Sequence, residues 1–300
     1  MTTESQQKVL RYRWVIFWIL ACGYVLVYFH RLCPAVVAVD MMRDLKTGGA
    51  LTGFLGAAYF YPYALMQLPA GLLSDSWGPR KTITLFFAVA FFGSVLLGAA
   101  PSVFLAILGR TLVGLGVAML FVPTMKVLAE WFRLREFAFM TGMLMALGGL
   151  GSLFAATPLA LLSSRIGWRY SFILVGLFTL ALAVLVWIFV RDRPHDFGWP
   201  PPEKPPPATA ATISLLESVR RVVTCKAFWP IAVWFFFDCG IFFSFGGLWG
   251  GPYLIQVYGL SKAQAAQILS MLAVGMIIGS PLLSYLSTNV FRARKPVLVL

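Results

Sequence analysis

The stretch Gly71-Leu72-Leu73-Ser74-Asp75-Ser76-Trp77-Gly78-Pro79-Arg80-Lys81 closes one apolar run, 51–73, and opens onto another, 83–100. Gly78 permits a sharp turn, Asp75 marks the membrane boundary, and the basic pair anchors the next helix on one side of a bilayer. Crossing a ~30 Å hydrocarbon core takes about 20 apolar residues in a helix. Eight runs meet that length: 14–39, 51–73, 83–100, 102–124, 137–162, 168–190, 227–250 and 264–288. A ninth starts at Pro296. The gaps at 100–102 and 162–168 leave room only for tight turns.

Composition agrees with lipid as the solvent. Charged residues make up 12% of the chain and hydrophobic ones 60%, with a mean hydropathy of +0.83. A soluble domain carries about 25% charged residues. The net charge of +13 is not a nucleic-acid footprint, because the basic residues sit in short gaps between apolar runs and not on one water-exposed face. The run after Arg13 is too long for a cleavable signal, and no small-residue cleavage site follows it.

One gap differs. From Arg191 to Lys226 the chain turns polar and holds seven of the 18 prolines, six of them in two triplets at 200–202 and 205–207. This reads as an extended, semi-stiff linker, with a short interfacial helix from Ser214 to Arg221. The expected organisation is therefore an all-α polytopic membrane protein in three parts. A six-helix bundle occupies 1–190, a Pro-rich cytoplasmic linker 191–226, and an incomplete second bundle 227–300 holds helices seven, eight and the start of nine. About eight transmembrane helices are expected. Short of their own bundle, helices seven and eight are expected to dock loosely.

Lys and Arg fix the orientation. With the N-terminus cytoplasmic, sixteen fall on that side, from Lys8, Arg11 and Arg13 through Arg80, Lys81, Arg133, Arg135, Lys204 and Lys226 to Arg294 and Lys295. Five (Arg43, Lys46, Arg165, Arg169 and Lys262) fall on the other. The positive-inside rule places the N-terminus and linker inside an inner cell membrane. Small residues repeat every fourth position at Gly49, Gly53 and Ala57, and at Gly148, Ser152 and Ala156, a spacing that lets helices approach closely.

The loop at Gly71 meets the signature G-x-L-x-D-x-x-G-R-[RK]-[RK] at Gly71, Leu73, Asp75, Gly78, Arg80 and Lys81, with Ser76 and Pro79 where arginines are common. A partial copy, Leu286-Ser287 before Arg294-Lys295, recurs six helices later in the same orientation, as in parallel transporter repeats. Arg110, Gly114 and Gly116 meet R-x-x-x-G-x-G, and Gly167-Trp168-Arg169 opens the sixth run. On these motifs the chain resembles the major facilitator superfamily, and the resemblance implies a carrier of twelve helices, of which these eight would be the first. A finer likeness runs through Arg13-Trp14-Val15-Ile16-Phe17, Gly23-Tyr24 and Tyr28-x-x-Arg31, then Leu248-Trp249 and Pro252-Tyr253-Leu254. It is similar to the organophosphate:phosphate antiporters and the anion:cation symporters. The resemblance implies that Arg31 holds the substrate's anionic group. The antiporters' second phosphate-binding arginine falls on Ser244, which turns the reading toward a carboxylate substrate.

The residues support a site on their own terms. Arg31 lies near the middle of the first run, where a charge must face a cavity or a partner. Tyr24, Tyr28 and Arg31, spaced four and three, share a helical face, and a guanidinium is a planar fork suited to a carboxylate. Tyr59, Tyr63 and Gln67 form a second polar-tipped stripe. The competing reading pairs Arg31 with an acid or lets it snorkel outward. Asp238, mid-way along the seventh run, is the acid deepest in any span. Burial would make it protonatable and fit for proton coupling; the alternative is a structural counter-ion. His30 reads as packed rather than as a relay. Arg110 reads as part of a structural or gating network, Lys126 and Glu130 as an interfacial pair, and Glu130–Glu136 as an anchor on the cytoplasmic side.

Cys22, Cys33, Cys225 and Cys239 and the two histidines show no ligand spacing, so no metal and no cofactor is expected. Without H-E-x-x-H, G-x-S-x-G or a P-loop, neither an enzyme nor an ATP-driven pump is indicated. The expected function is alternating-access transport of a small organic anion by a monomer in the lipid bilayer, coupled to a proton or a counter-anion. The alternatives are organophosphate/phosphate exchange and a non-transporting sensor on the same fold.

Overall fold

The computed structural model describes residues 3–202, 215–245, 250–260, 262–293 and 297. Lys204, Ser214, Leu248, Trp249, Arg294, Lys295 and Pro296, named above, lie outside the described residues. Among the described residues all regular structure is helical. The helices are α1 (Thr3–Asp44), α2 (Gly49–Leu65), α3 (Gln67–Ser76), α4 (Pro79–Ala99), α5 (Val103–Ala118), α6 (Phe121–Trp131), α7 (Leu134–Phe154), α8 (Thr157–Phe189), α9 (Leu215–Thr224), α10 (Phe228–Ser244), α11 (Gly250–Tyr258) and α12 (Lys262–Tyr285).

Prolines divide three of the apolar runs. A helical proline cannot donate to the carbonyl four residues back, and its ring crowds that carbonyl. Pro69 acts on Leu65, where α2 ends. Pro123 acts on Met119, the first of the two residues between α5 and α6. Pro158 acts on Phe154, where α7 ends. The last turn of α2 closes through Met66 N–H to the Pro62 carbonyl at 3.0 Å, and α3 resumes with Ala70 N–H to the Met66 carbonyl at 2.9 Å. In α8 the turn expected between 162 and 168 falls at Gly167, whose φ of 79° and ψ of 157° interrupt the helix.

Six helical stretches are long and apolar enough to cross a membrane: Gln6–Pro34, Pro79–Ala99, Val103–Trp131, Leu134–Phe154, Pro158–Phe189 and Gln267–Val290. The divided second run (α2 and α3) and the shorter α10 complete the eight apolar runs read from the sequence. The protein is an all-α polytopic membrane protein.

The chain forms two compact units, Met1–Glu203 with Ala273–Leu300, and Lys204–Leu272. This division differs from the boundaries at 190 and 226. At the far end, α7 receives the later part of α12, with Ala273 and Ile277 against Gly149 and with Ser280 and Ser284 against Gly142. At the near end, residues 191–202 pack on the bundle and do not extend as a linker, as described below. In the second unit, Trp234, Phe235, Phe236 and Phe237 on α10 are exposed.

Within the first unit α4 packs along α5 and α8, α2 along α5, and α1 along α7 and α8. One cluster of buried side chains gathers Ile16, Phe17, Leu20, Phe87, Leu120 and Trp131. A second gathers Cys33, Val37, Leu97, Ala106, Trp168 and Phe172. Glycines set the close crossings, but not along the stripes expected. Gly148 and Gly151, three apart, bring α7 onto Tyr28 and the Val25 carbonyl of α1, whereas nothing lies near Gly53. On α5, a Cβ at Gly114 would fall on the Tyr59 carbonyl of α2, and one at Gly116 would press on Phe86 and Ala90 of α4.

This contact generates a paired prediction. Gly114→Ala forces α2 off α5 and should destabilise the bundle by about 1–3 kcal/mol, the usual cost of overpacking. Gly71→Ala, where nothing lies near the added carbon, should be neutral or stabilising by about 0.5–1 kcal/mol through helix propensity. Thermal unfolding in detergent distinguishes the two.

Candidate functional site

The two tyrosine stripes expected from the sequence meet around Arg31. Its guanidinium carbon lies 4.9 Å from the centroid of the Tyr28 ring on α1 and 4.8 Å from that of Tyr63 on α2. Each is within cation–π distance. Tyr59 stacks on Tyr63 with centroids 5.8 Å apart and an interplanar angle of 18°. Tyr24 meets Tyr28 edge-on at 5.4 Å. All four phenol rings thus lie within electrostatic reach of one half-buried guanidinium.

The polar tips are less free than the pattern suggested. Tyr24 is 4% exposed, and its hydroxyl is turned to Met145 Sδ at 3.4 Å on α7. Tyr59 is fully buried, and its hydroxyl donates to the Val27 carbonyl at 3.4 Å. Gln67 lies past the Met66 break and spends its amide on the Tyr63 carbonyl at 3.3 Å. The Arg31 guanidinium is half-buried between the Tyr28 and Tyr63 rings.

Arg110 is the second buried guanidinium, 1% exposed. From α5 it donates to the His30 carbonyl on α1 at 3.0 Å and to the Leu55 carbonyl on α2 at 3.4 Å, and it sits 4.9 Å from the Tyr59 ring centroid. It therefore clips together the two helices that carry the Arg31 cluster. His30 is fully buried against Phe29, as a packed residue would be.

Asp238 is exposed on α10, among side chains that are exposed too.

The motif loop forms a separate cluster at the end of the bundle. Asp75, exposed, is paired with Lys126 of α6 at 2.7 Å, and Lys126 also donates to the Ser74 carbonyl at 2.9 Å. This corrects the expected Lys126–Glu130 pair: Lys126 reaches α3, and Glu130 instead meets Arg193 at 3.6 Å. Gly78 has a φ of 89°, a conformation that costs glycine nothing. Arg80 donates from Nε to the Trp187 carbonyl at 2.9 Å and lies 4.2 Å from that residue's ring centroid. Lys81 is exposed. Glu136 caps α7 through Arg133 N–H at 3.0 Å and binds Arg13 of α1 at 2.7 Å.

Asp192, which the sequence reading passed over, completes this cluster. Its carboxylate accepts the Arg80 backbone N–H at 2.7 Å, so a residue beyond α8 serves as the N-terminal cap of α4. The room it occupies is the room a side chain at 78 would need. The segment that follows is held down as well. The Trp131 indole donates to the Arg191 carbonyl at 2.9 Å, and the Phe197 and Trp199 rings stack at 4.6 Å and abut Tyr12 and Trp131. The aromatic residues between the prolines were the available signal, since a solvated linker has no use for Phe197 and Trp199.

The chain matches the model of the Major Facilitator Superfamily over residues 20–300. It belongs to that family, whose members are membrane transporters and not enzymes. Among its relatives, a "Probable sulfoacetate transporter" of Cupriavidus necator is 25% identical over 185 residues, 62% of this chain and 43% of that protein. A "Probable hexose phosphate transport protein" of Chlamydia trachomatis is 21% identical over 97% of this chain and 67% of its own length. The hexuronate transporter of Bacillus subtilis is 27% identical over 95% of this chain and 67% of its own length. The chain thus spans between 43% and 67% of the length of these relatives. A bacterial homolog of the human lysosomal transporter Spinster, inward-facing and occupied, shares the fold. Its TM-score is 0.64 at 23% identity, over 93% of this chain and 62% of that one.

The Asp192 cap carries the prediction of this section. Asp192→Ala should cost about 0.5–2 kcal/mol, as loss of an N-cap does, while Asp192→Asn, which keeps an acceptor oxygen, should retain most of that. Burial pushes the Asp192 carboxyl above its ordinary range, against the lowering effect of the Arg80 N–H. The unfolded chain therefore ionises first as pH rises, and this group's contribution to stability declines through the window between the two values. Thermal unfolding of wild type and Asp192→Asn across the carboxylate range should show that slope in the first and not in the second.

Proposed function

We propose that the protein is a secondary transporter that moves a small organic anion, a carboxylate, across the inner cell membrane by alternating access. In this reading residues 1–190 are its N-terminal bundle, 191–226 the cytoplasmic connection and 227–300 the opening of its second bundle. The N-terminus and the Arg80–Lys81 loop face the cytoplasm, on the balance of Lys and Arg, and the carrier works as a monomer.

The observation that carries the reading is the convergence on Arg31. A guanidinium within the first span, flanked by the Tyr28 ring of one helix and the Tyr63 ring of the next, offers a planar fork to a carboxylate, with apolar walls that raise the strength of each charged hydrogen bond. Tyr24 and Tyr59 hold those rings from behind, and Gln67 lies at the edge beyond the Met66 break. The names of the relatives support an anion, two of them an organic acid: sulfoacetate and hexuronate.

The remaining motif residues would set the conformational cycle. Asp75 with Lys126, and Gly71, Gly78, Arg80 and Lys81 around them, would stabilise one state of the cytoplasmic side. Arg110 and Gly114 would keep α1, α2 and α5 moving as one body. Asp238 is the proposed coupling group if the anion moves with a proton; a counter-anion is the other possibility.

Two measurements on the complete carrier in proteoliposomes check this. Uptake should be competed by mono- or dicarboxylates in preference to phosphate esters and inorganic phosphate. Arg31→Lys should then lower apparent affinity by about 10–100-fold, the worth of a charged hydrogen bond, with insertion into the membrane unchanged. Wild-type affinity in that variant would refute the assignment.

Asp238→Asn should abolish uptake driven by a pH gradient while leaving substrate exchange intact. Loss of both together with the folded protein would assign Asp238 a structural role instead.

A further inference from the structure

Before the seventh apolar run lies a helix too short to span anything. α9, Leu215–Thr224, has ten residues, about 15 Å of helix. Its sequence divides by face. Val219, Val222 and Val223, spaced three and four, fall on one side, and Glu217, Arg220, Arg221 and Thr224 on the other. The three valines are 37%, 48% and 47% exposed, an apolar stripe that water would not favour.

Charge and attachment indicate what covers it. Glu217 is bound by Arg221 of the next turn at 2.9 Å, while Arg220 and Lys226 are exposed, so three cations stand against one carboxylate. The link to α10 is tight. Cys225 N–H meets the Val222 carbonyl at 3.1 Å, Phe228 N–H meets the Cys225 carbonyl at 3.0 Å, and the Trp229 indole donates to the Val223 carbonyl at 2.9 Å. An indole in the first turn of an apolar helix belongs at the membrane–water boundary, and it ties α9 to that level.

We infer that α9 is a membrane-surface helix whose valine face lies in the acyl boundary while Arg220, Arg221 and Lys226 contact anionic lipid headgroups. Short amphipathic helices of this composition bind interfaces in this way, and each cation near an anionic surface adds about fivefold to the partition. The inference does not depend on which anion the carrier moves.

The test uses the full chain in nanodiscs of phosphatidylcholine alone and of phosphatidylcholine with phosphatidylglycerol. Hydrogen exchange reads the amides of 215–224, and a benzophenone amino acid at position 223 reads what touches the valine face. Protection of α9 should be about tenfold greater or more in the anionic discs and should fall with added salt, and the photoadduct should be a lipid. Val222→Asp should remove that protection while residues 134–154 stay protected. Equal protection in the two kinds of disc, or a peptide adduct from another part of the protein, would overturn the inference.

Discussion

The burial of Arg110 is the constraint on which the rest of this bundle depends. A guanidinium inside a membrane protein is costly unless its donors are met. Here Nη1 and Nε are met by carbonyls of two other helices, at His30 and Leu55. One residue beyond His30 stands Arg31, and one helical turn beyond Leu55 stands Tyr59, which carries Tyr63 against Arg31. The relative register of α1 and α2, and so the geometry of the candidate site, follows from what Arg110 can reach. Gly114, one turn further along α5, removes the side chain that would otherwise hold α2 away.

The same logic governs the opposite cluster. There the chain has no long apolar surface to bury, and order comes from backbone groups that lack partners at helix ends. Asp192 supplies one to α4, Glu136 one to α7, and Trp131 donates to the chain leaving α8. Arg80 and Lys126 cross between helices in the same layer. The Arg31 site and the motif loop are thus held by different means, rings beside a guanidinium of the first span and capping groups at the rim.

Much of this was legible in the sequence. Apolar length located the six stretches long and apolar enough to cross a membrane, because membrane thickness imposes it. Periodicity placed Tyr24, Tyr28 and Arg31 on one face and Tyr59, Tyr63 and Gln67 on another, and the structure brings the two stripes together. What periodicity could not supply was distance between elements. Lys126 was paired with the acid nearest in sequence, whereas its partner, Asp75, lies on another helix. Residues 191–202 read as a linker from their prolines, although they also include Phe197 and Trp199, whose rings pack against Tyr12 and Trp131. The breaks after Leu65 and at Met119 were implicit in Pro69 and Pro123, four residues on in each case.

The reach of Asp192 back to α4 also bears on how such a carrier can be taken apart. Halves of two-bundle transporters invite separation by gene splitting, and the natural place to cut is the end of the sixth span, at Val190. In this protein that cut would strip the first turn of α4 of its cap and the Trp131 indole of its acceptor, two spans and more away in sequence. A split gene, a circular permutation or a domain exchange would need to carry the chain through Pro202 with the first half. What must stay together is α1 to α8 with the chain that follows them as far as Pro202.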